Sequence, residues 1–193
     1  MEKQSLCKLF VGKWNTVTLV SVAVGAALFG VLMVFASIPV FTNTMLTAAM
    51  IIPVIVGALF GPLAAFIACG LGNIIADMIG GWGIWFDWSV GNAFLGLFVG
   101  TLPLYGARIR DGIFTVKHAI IYAVVCVVGV AISMGIIIPI MTAIFYAADL
   151  EITMIQALVG GIANIGVLLI VGIPLLFLLA NRFSKRSNLK EED

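Results

Sequence analysis

The sequence predicts an all-α integral membrane protein: one domain over residues 1–193, built as a single bundle of six transmembrane helices with both termini cytoplasmic. Three observations carry this. Hydrophobic residues make up 63% of the chain and charged residues only 10%, a balance foreign to soluble domains. Polar turns cut the apolar sequence into six runs, and 193 residues less their polar ends leave room for about six helices of roughly 20 residues. Finally, with the N-terminus inside, all ten basic residues fall on the inner side: Lys3, Lys8, Lys13, Arg108, Arg110, Lys117, Arg182, Lys185, Arg186 and Lys190. Asp77, Asp87, Asp149 and Glu151 then fall outside. Only an even number of helices gives this separation, and five would put a basic cluster on the wrong side.

Residues 1–13 form a basic cytoplasmic N-terminus. The apolar run behind it superficially resembles a secretory signal, but it continues to about residue 36 with no small-residue cleavage site, and it is expected to be a retained first helix. Helix 1 covers about 14–36 and stops before Pro39, because proline disfavours helical geometry at the residue preceding it. A polar turn, Thr42, Asn43 and Thr44, opens helix 2 at about 45–60, where Pro53 predicts a kink. Gly61 and Pro62 mark a tight connection into helix 3, about 63–79. Helix 4 covers about 89–105. Arg108, Arg110, Asp111 and Lys117 form the main internal polar loop. Helix 5 follows at about 118–138 with Pro139 near its end. The loop from Tyr146 to Glu151 leads to helix 6, about 153–180, and 181–193 form a cytoplasmic tail.

Several function classes lack their signatures. No phosphate loop of the GxxxxGK[ST] type, no HExxH and no GxSxG occurs. His118 is the only histidine and belongs to the cytoplasmic end of helix 5, leaving no cluster for a metal or for acid–base work. Cys7, Cys69 and Cys126 have neither metal spacing nor the pattern of a disulfide framework. The expectation is a protein without catalytic residues, metal or cofactor of its own.

One stretch stands apart. Asn73, Ile74, Ile75, Ala76 and Asp77 precede a loop of glycines and aromatics that holds Trp82, Trp85, Phe86, Asp87 and Trp88, followed by Ser89 and Asn92. Glycines permit bends, flat aromatic rings offer apolar faces, and Asn and Asp offer oriented hydrogen bonds. Asn73 and Asp77 are four apart and share a helix face, with Asp77 near a helix C-terminus that disfavours an anion. They read either as ligand contacts facing the bundle interior or as a solvated, internally paired acid at the interface. Trp82, Trp85 and Trp88 read either as a lid over a ligand or as an interfacial aromatic belt. Asp87 or Ser89 reads as a cap of helix 4, Asn92 as a ligand contact, and Tyr146 as an interfacial aromatic. Asn43 and Asn164 can converge beneath the Trp loop, and Asn164 can equally bond a neighbouring helix. In helix 1, two overlapping small-xxx-small pairs, Ala23 with Ala27 and Ala26 with Gly30, allow a helix to approach closely, from within the bundle or from a partner.

These segments resemble the S component of an energy-coupling factor (ECF) vitamin transporter. The likeness rests on Ala23-xxx-Ala27, the turn from Ile38 through Pro39 and Asn43 to Thr44, the Gly57 to Leu63 connection, and Asn73-xxx-Asp77 before the Trp loop. It covers most of the chain and is similar in particular to the branch labelled riboflavin-type, whose true substrates include other vitamins, cobalamin among them. The resemblance implies a vitamin-binding subunit of the cell membrane whose partners are a transmembrane coupling protein and two cytoplasmic ATPases, so that ATP is used by the partners. It implies a site near the outer face, roofed by the loops after helices 1, 3 and 5, and assigns partner docking to Ala23 and Ala27; Gly30, from the second small-residue pair, is expected to dock with them. Substrate contacts then fall to Asn43, Asn73, Asp77, Trp82, Trp85, Trp88, Asn92 and Asn164, with riboflavin or cobalamin as leading ligands. With no outer Cys or His as a cobalt ligand, cobalamin would be held by shape and hydrogen bonds. A stand-alone channel or facilitator, its asparagines lining a pore, is the alternative, and a membrane enzyme is the more remote one.

Overall fold

The computed structural model describes residues 6–42 and 44–191; Asn43 lies outside the described residues. A short helix, α1 (Leu6–Val11), precedes α2 (Thr16–Phe35), whose start is fixed by the Asn15 side chain accepting from the Thr18 backbone N–H at 2.9 Å. A β-hairpin follows, β1 (Ser37–Phe41) antiparallel to β2 (Thr44–Thr47), with Ser37 opposite Thr47 and Pro39 opposite Met45. Beyond it lie α3 (Ile51–Phe60), α4 (Pro62–Gly80), α5 (Phe86–Val99), α6 (Val116–Ile132), α7 (Ile138–Tyr146), α8 (Leu150–Val167) and α9 (Ile173–Glu191).

The hairpin corrects the sequence reading, which opened helix 2 at Met45. Pro39 excludes helix, and the Ile, Val, Phe and Thr around it suit a pleated strand. Helical bonding starts instead at Ala48, where the Thr47 hydroxyl accepts from the Ala49 N–H at 3.1 Å. Helix 4 is likewise shorter than expected: α5 ends at Val99, and Leu102–Tyr105 is a separate 3-10 turn.

Pro139 does not end helix 5. Residues Ser133–Ile137 widen into a π turn immediately before it, and helical structure continues to Tyr146; the same arrangement recurs where the π turn Leu168–Gly172 precedes Pro174. Proline lacks the N–H that would close the preceding turn, and a π turn absorbs the missing bond and the ring's bulk without breaking the helix. Two long continuous segments result, Val116–Tyr146 and Leu150–Lys185. With Thr16–Phe35 and Pro62–Gly80 they make four segments long and apolar enough to cross a membrane, while Ala48–Phe60 is apolar but shorter, and Phe86–Val99, which carries Asp87, Ser89 and Asn92, is 14 residues long.

The bundle has two unlike ends. At one, the Arg110 guanidinium sits 4.7 Å over the Phe60 ring, Arg108 pairs with Asp111 at 3.4 Å, and Gly112 lies against Ser184 of α9. At the other, about 28 Å away along the 19 residues of α4, the hairpin, the loop after α4 and the loop between α7 and α8 converge. Helix α2 lies against α4, with the Phe29 ring over Gly72 and Gly30 against Ile75. A Cβ on Gly30 would come within 2.6 Å of the Ile75 side chain and 3.1 Å of the Gly72 carbonyl. Gly30 is therefore committed to packing inside the chain, and the expectation that it docks a partner is corrected. Ala26 is buried beside it, whereas Ala23 and Ala27 lie on the exposed outer face with Val20 and Val24.

Candidate functional site

At the end remote from the basic residues the bundle opens into a cavity of about 450 Å³. Seven of the eight expected contact residues line it: Asn73, Asp77, Trp82, Trp85, Trp88, Asn92 and Asn164. The eighth, Asn43, is outside the described residues. Packed α4 and α5 face each other between Asn73 and Asn92, and the four-residue spacing of Asn73 and Asp77 turns both toward α5.

The polar groups form a directed chain. Asn73 Nδ2 donates to Asp77 Oδ2 at 3.3 Å and to Ser89 Oγ at 3.2 Å, and Asn92 Nδ2 donates to Asn73 Oδ1 at 2.8 Å. Ser89 Oγ donates in turn to the Trp85 carbonyl at 3.0 Å. Asn73, Asp77, Ser89 and Asn92 are all buried, so each bond forms away from water and orients the next. Asp77 sits where the α4 dipole disfavours an anion, and the offsetting donors are now evident: the Trp85 backbone N–H, at 2.9 Å, and Asn73.

Asp77 also builds the lid. Its carbonyl accepts from the Gly81 and Trp82 N–H groups as α4 terminates, and its carboxylate holds the Trp85 N–H four residues on from Gly81. Gly81 and Gly83 adopt left-handed backbone at φ 68° and 80°, which glycine reaches without strain and which reverses the chain within this short loop. Trp85 Nε1 donates to the Trp82 carbonyl at 3.0 Å. Trp82 and Trp85 remain 43% and 37% exposed while lining the cavity, so they stand at its mouth; Trp88 is more buried and forms wall.

Two readings of single residues are corrected. Asp87 is not a helix cap, since α5 starts at Phe86 without a side-chain cap. It is completely buried in the first turn, faces the cavity, and is hydrogen-bonded to the Thr142 hydroxyl of α7 and the Trp88 N–H. Tyr146 is more than an interfacial aromatic: its hydroxyl accepts from the Phe86 N–H at 2.9 Å and donates to the Ile84 carbonyl at 3.3 Å, and its ring lies 4.8 Å from that of Trp85. It ties α7 to the lid. Tyr146→Phe removes both bonds, a loss of about 0.5–1.5 kcal/mol each, and is expected to speed ligand release several-fold, read by stopped-flow Trp fluorescence; an unchanged release rate would detach Tyr146 from lid closure.

Sequence reasoning missed part of the wall. Met33, Met45, Met50 and Met134 line the cavity, as do Thr142, Thr153 and Gln156. Thioethers pack adaptably against aromatic rings. Met134 also receives the Asn164 Nδ2 at 3.4 Å, which gives Asn164 an interhelical bond as well as a place in the wall, about four turns into α8. Among the described residues, no group of His, Cys, Asp and Glu has the arrangement to hold a metal.

Comparisons with known proteins bear on the family and the fold. The family described as "ECF-type riboflavin transporter, S component" matches residues 13–181. A UPF0397 protein of Aliivibrio fischeri (strain MJ11) is 33% identical over 177 residues, spanning 90% of this chain and 96% of its own. One from Photobacterium profundum is 34% identical over 179 residues, with 91% and 97% covered. The crystal structure of FolT bound with folic acid superposes with a TM-score of 0.59 over 87% of this chain and 95% of that one, at 15% identity, a likeness of fold.

Proposed function

The chain belongs to the family of ECF-type riboflavin transporter S components, membrane transport subunits and not enzymes, and on that premise we propose that it captures a B-type vitamin at the outer face of the cytoplasmic membrane. It hands the vitamin to a transmembrane coupling protein and two cytoplasmic ATPases, which use the ATP. The observation that carries this reading is the cavity itself: buried amides and carboxyls at its base, tryptophans at its mouth, and every described basic side chain at or near the other end. All six apolar segments then cross the membrane with the basic end and both termini cytoplasmic, in keeping with the positive-inside rule.

Riboflavin and cobalamin are the leading ligands. A volume of about 450 Å³ is ordinary for a small-molecule site and suits a fused aromatic ring system better than a corrin macrocycle, which is several times bulkier. Docking falls to Ala23 and Ala27 on the exposed face of α2, and not to Gly30. Chain purified in detergent from cells that also make the coupling module is expected to retain a vitamin identifiable by mass spectrometry and to bring down the coupling protein and both ATPases. Transport by the chain alone in liposomes, with no ATPase present, would replace this reading by a facilitator.

A further inference from the structure

The polarity of the buried hydrogen-bond chain selects the chemistry of the ligand. An ionised Asp77 has only acceptors to offer, so Asn73 must turn its NH₂ toward Oδ2 and its carbonyl toward Asn92. Asn92 must in turn spend its NH₂ on Asn73, which leaves Asn92 Oδ1 buried with no hydrogen-bond partner. Asp77 Oδ1 likewise takes no hydrogen bond among the described residues, because both donors converge on Oδ2. Both free oxygens belong to residues of the cavity wall. Asp87 adds a second buried carboxyl to the same wall, and among the described lining residues there is no lysine, arginine or histidine. The one ion pair among the described residues, Arg108 with Asp111, is at the other end of the bundle.

A buried acceptor without a donor, and a buried carboxylate without a cation, are each unfavourable until something supplies the partner. Resting on the vitamin-capture reading, we propose that the ligand is an N–H-bearing nitrogen heterocycle, uncharged or cationic, that donates to Asp77 Oδ1 and Asn92 Oδ1 while its ring lies against the tryptophans and methionines. Trp faces attract cations as well as stacking on flat rings, so walls and base agree in sign. Vitamins bearing a phosphate monoester or a free carboxylate are rejected because a second anion enters a site already negative and finds no basic group to meet it. The wall thereby separates a vitamin from its phosphate ester, which differs in charge and barely in ring shape.

The test measures charge selectivity on the detergent-solubilised chain, whose folded state is checked by a cooperative thermal transition. Calorimetry compares riboflavin with flavin mononucleotide, which share one ring system and differ by a phosphate, and thiamine, a cation, with folic acid, a dicarboxylate. The molecule retained from the membrane is identified by mass spectrometry in parallel. The expected outcome is that the tightest ligand, retained or added, is uncharged or cationic, and that flavin mononucleotide and folic acid each bind at least tenfold more weakly. Asp77→Asn is the decisive variant. An amide oxygen in the place of Oδ2 keeps both existing bonds, so the change removes charge while preserving the scaffold, and it is expected to weaken a cationic ligand at least tenfold or to narrow the gap between riboflavin and its phosphate. Asp87→Asn is expected to act in the same direction. An anion as the tightest ligand, or selectivity unchanged in both variants, overturns the proposal and leaves vitamin capture standing. A folded chain that retains nothing and binds no member of the panel overturns vitamin capture and this inference with it.

Discussion

Ala23→Leu combined with Ala27→Leu is expected to abolish vitamin uptake and assembly with the coupling module while leaving the affinity of the isolated chain for its ligand within about twofold. Both alanines are exposed on α2, flanked by Val20 and Val24, which are 54% and 51% exposed. A stripe of small residues lets a second helix approach to the near end of the usual interaxial range of about 8–10 Å. Two leucines fill that stripe and hold the partner off. Neither residue lines the cavity or packs in the core, so the ligand site is untouched. Pull-down of the coupling protein, uptake of labelled vitamin and calorimetry on the same variant separate the effects. Ala26→Leu provides the contrast: Ala26 is 2% exposed, and overpacking there costs about 1–3 kcal/mol of fold stability, which lowers the melting temperature before it touches docking. Uptake surviving the double substitution would move the docking surface elsewhere on the bundle.

The two small-xxx-small pairs also mark where sequence stops being informative. Ala23 with Ala27 and Ala26 with Gly30 are offset by three residues, about 60° around the helix, and nothing in their composition distinguishes the lipid side from the α4 side. Only the packing of Phe29 and Gly30 on Gly72 and Ile75 does so. The helical, membrane-crossing character of the chain was legible because hydropathy is a long-range average that local errors do not disturb. The hairpin was not, since Ile38, Val40 and Phe41 are as apolar as the helices on either side and a five-residue strand has little periodicity to display. Pro139 was misread as a terminus because a proline's compatibility with a π turn depends on the carbonyls before it, which leave no trace in residue type.

The same division runs through the site. Asn73, Asp77 and Asn92 were legible because amides and acids in apolar segments are costly to keep and therefore conspicuous. Met33, Met45, Met50 and Met134 were not, because methionine is an ordinary filler of any helical bundle. Asp87 was read through its sequence neighbours as a cap, whereas its role depends on Thr142, 55 residues away. Asp77 and Tyr146 show the converse: each was picked out as polar or aromatic at the outer end, and the structure adds that both hold the Trp loop.

Asn73→Ala is expected to weaken ligand binding by about 1.5–3 kcal/mol, a ten- to roughly hundredfold loss, the scale of a hydrogen bond to a charged group. Asn73 is the only described residue joining Asp77, Ser89 and Asn92. Removing its amide strips one donor from Asp77 and frees Asn92 from the single bond that fixes its orientation. Asn92 is then able to rotate, and its buried, unpartnered carbonyl is no longer held in one direction. Ser89→Ala tests whether the loss arises from this propagation. It deletes one neutral acceptor of Asn73 and one bond to the Trp85 carbonyl, leaves the Asp77, Asn73 and Asn92 sequence intact, and is expected to cost binding less. Calorimetric affinities, with stoichiometry reporting the folded fraction, make the comparison independent of any loss of stability. Equal losses in the two variants would mean that the amides act only as packing; an unchanged affinity for Asn73→Ala would remove this chain of hydrogen bonds from recognition, because no other described residue sets the direction in which Asn92 presents its oxygen.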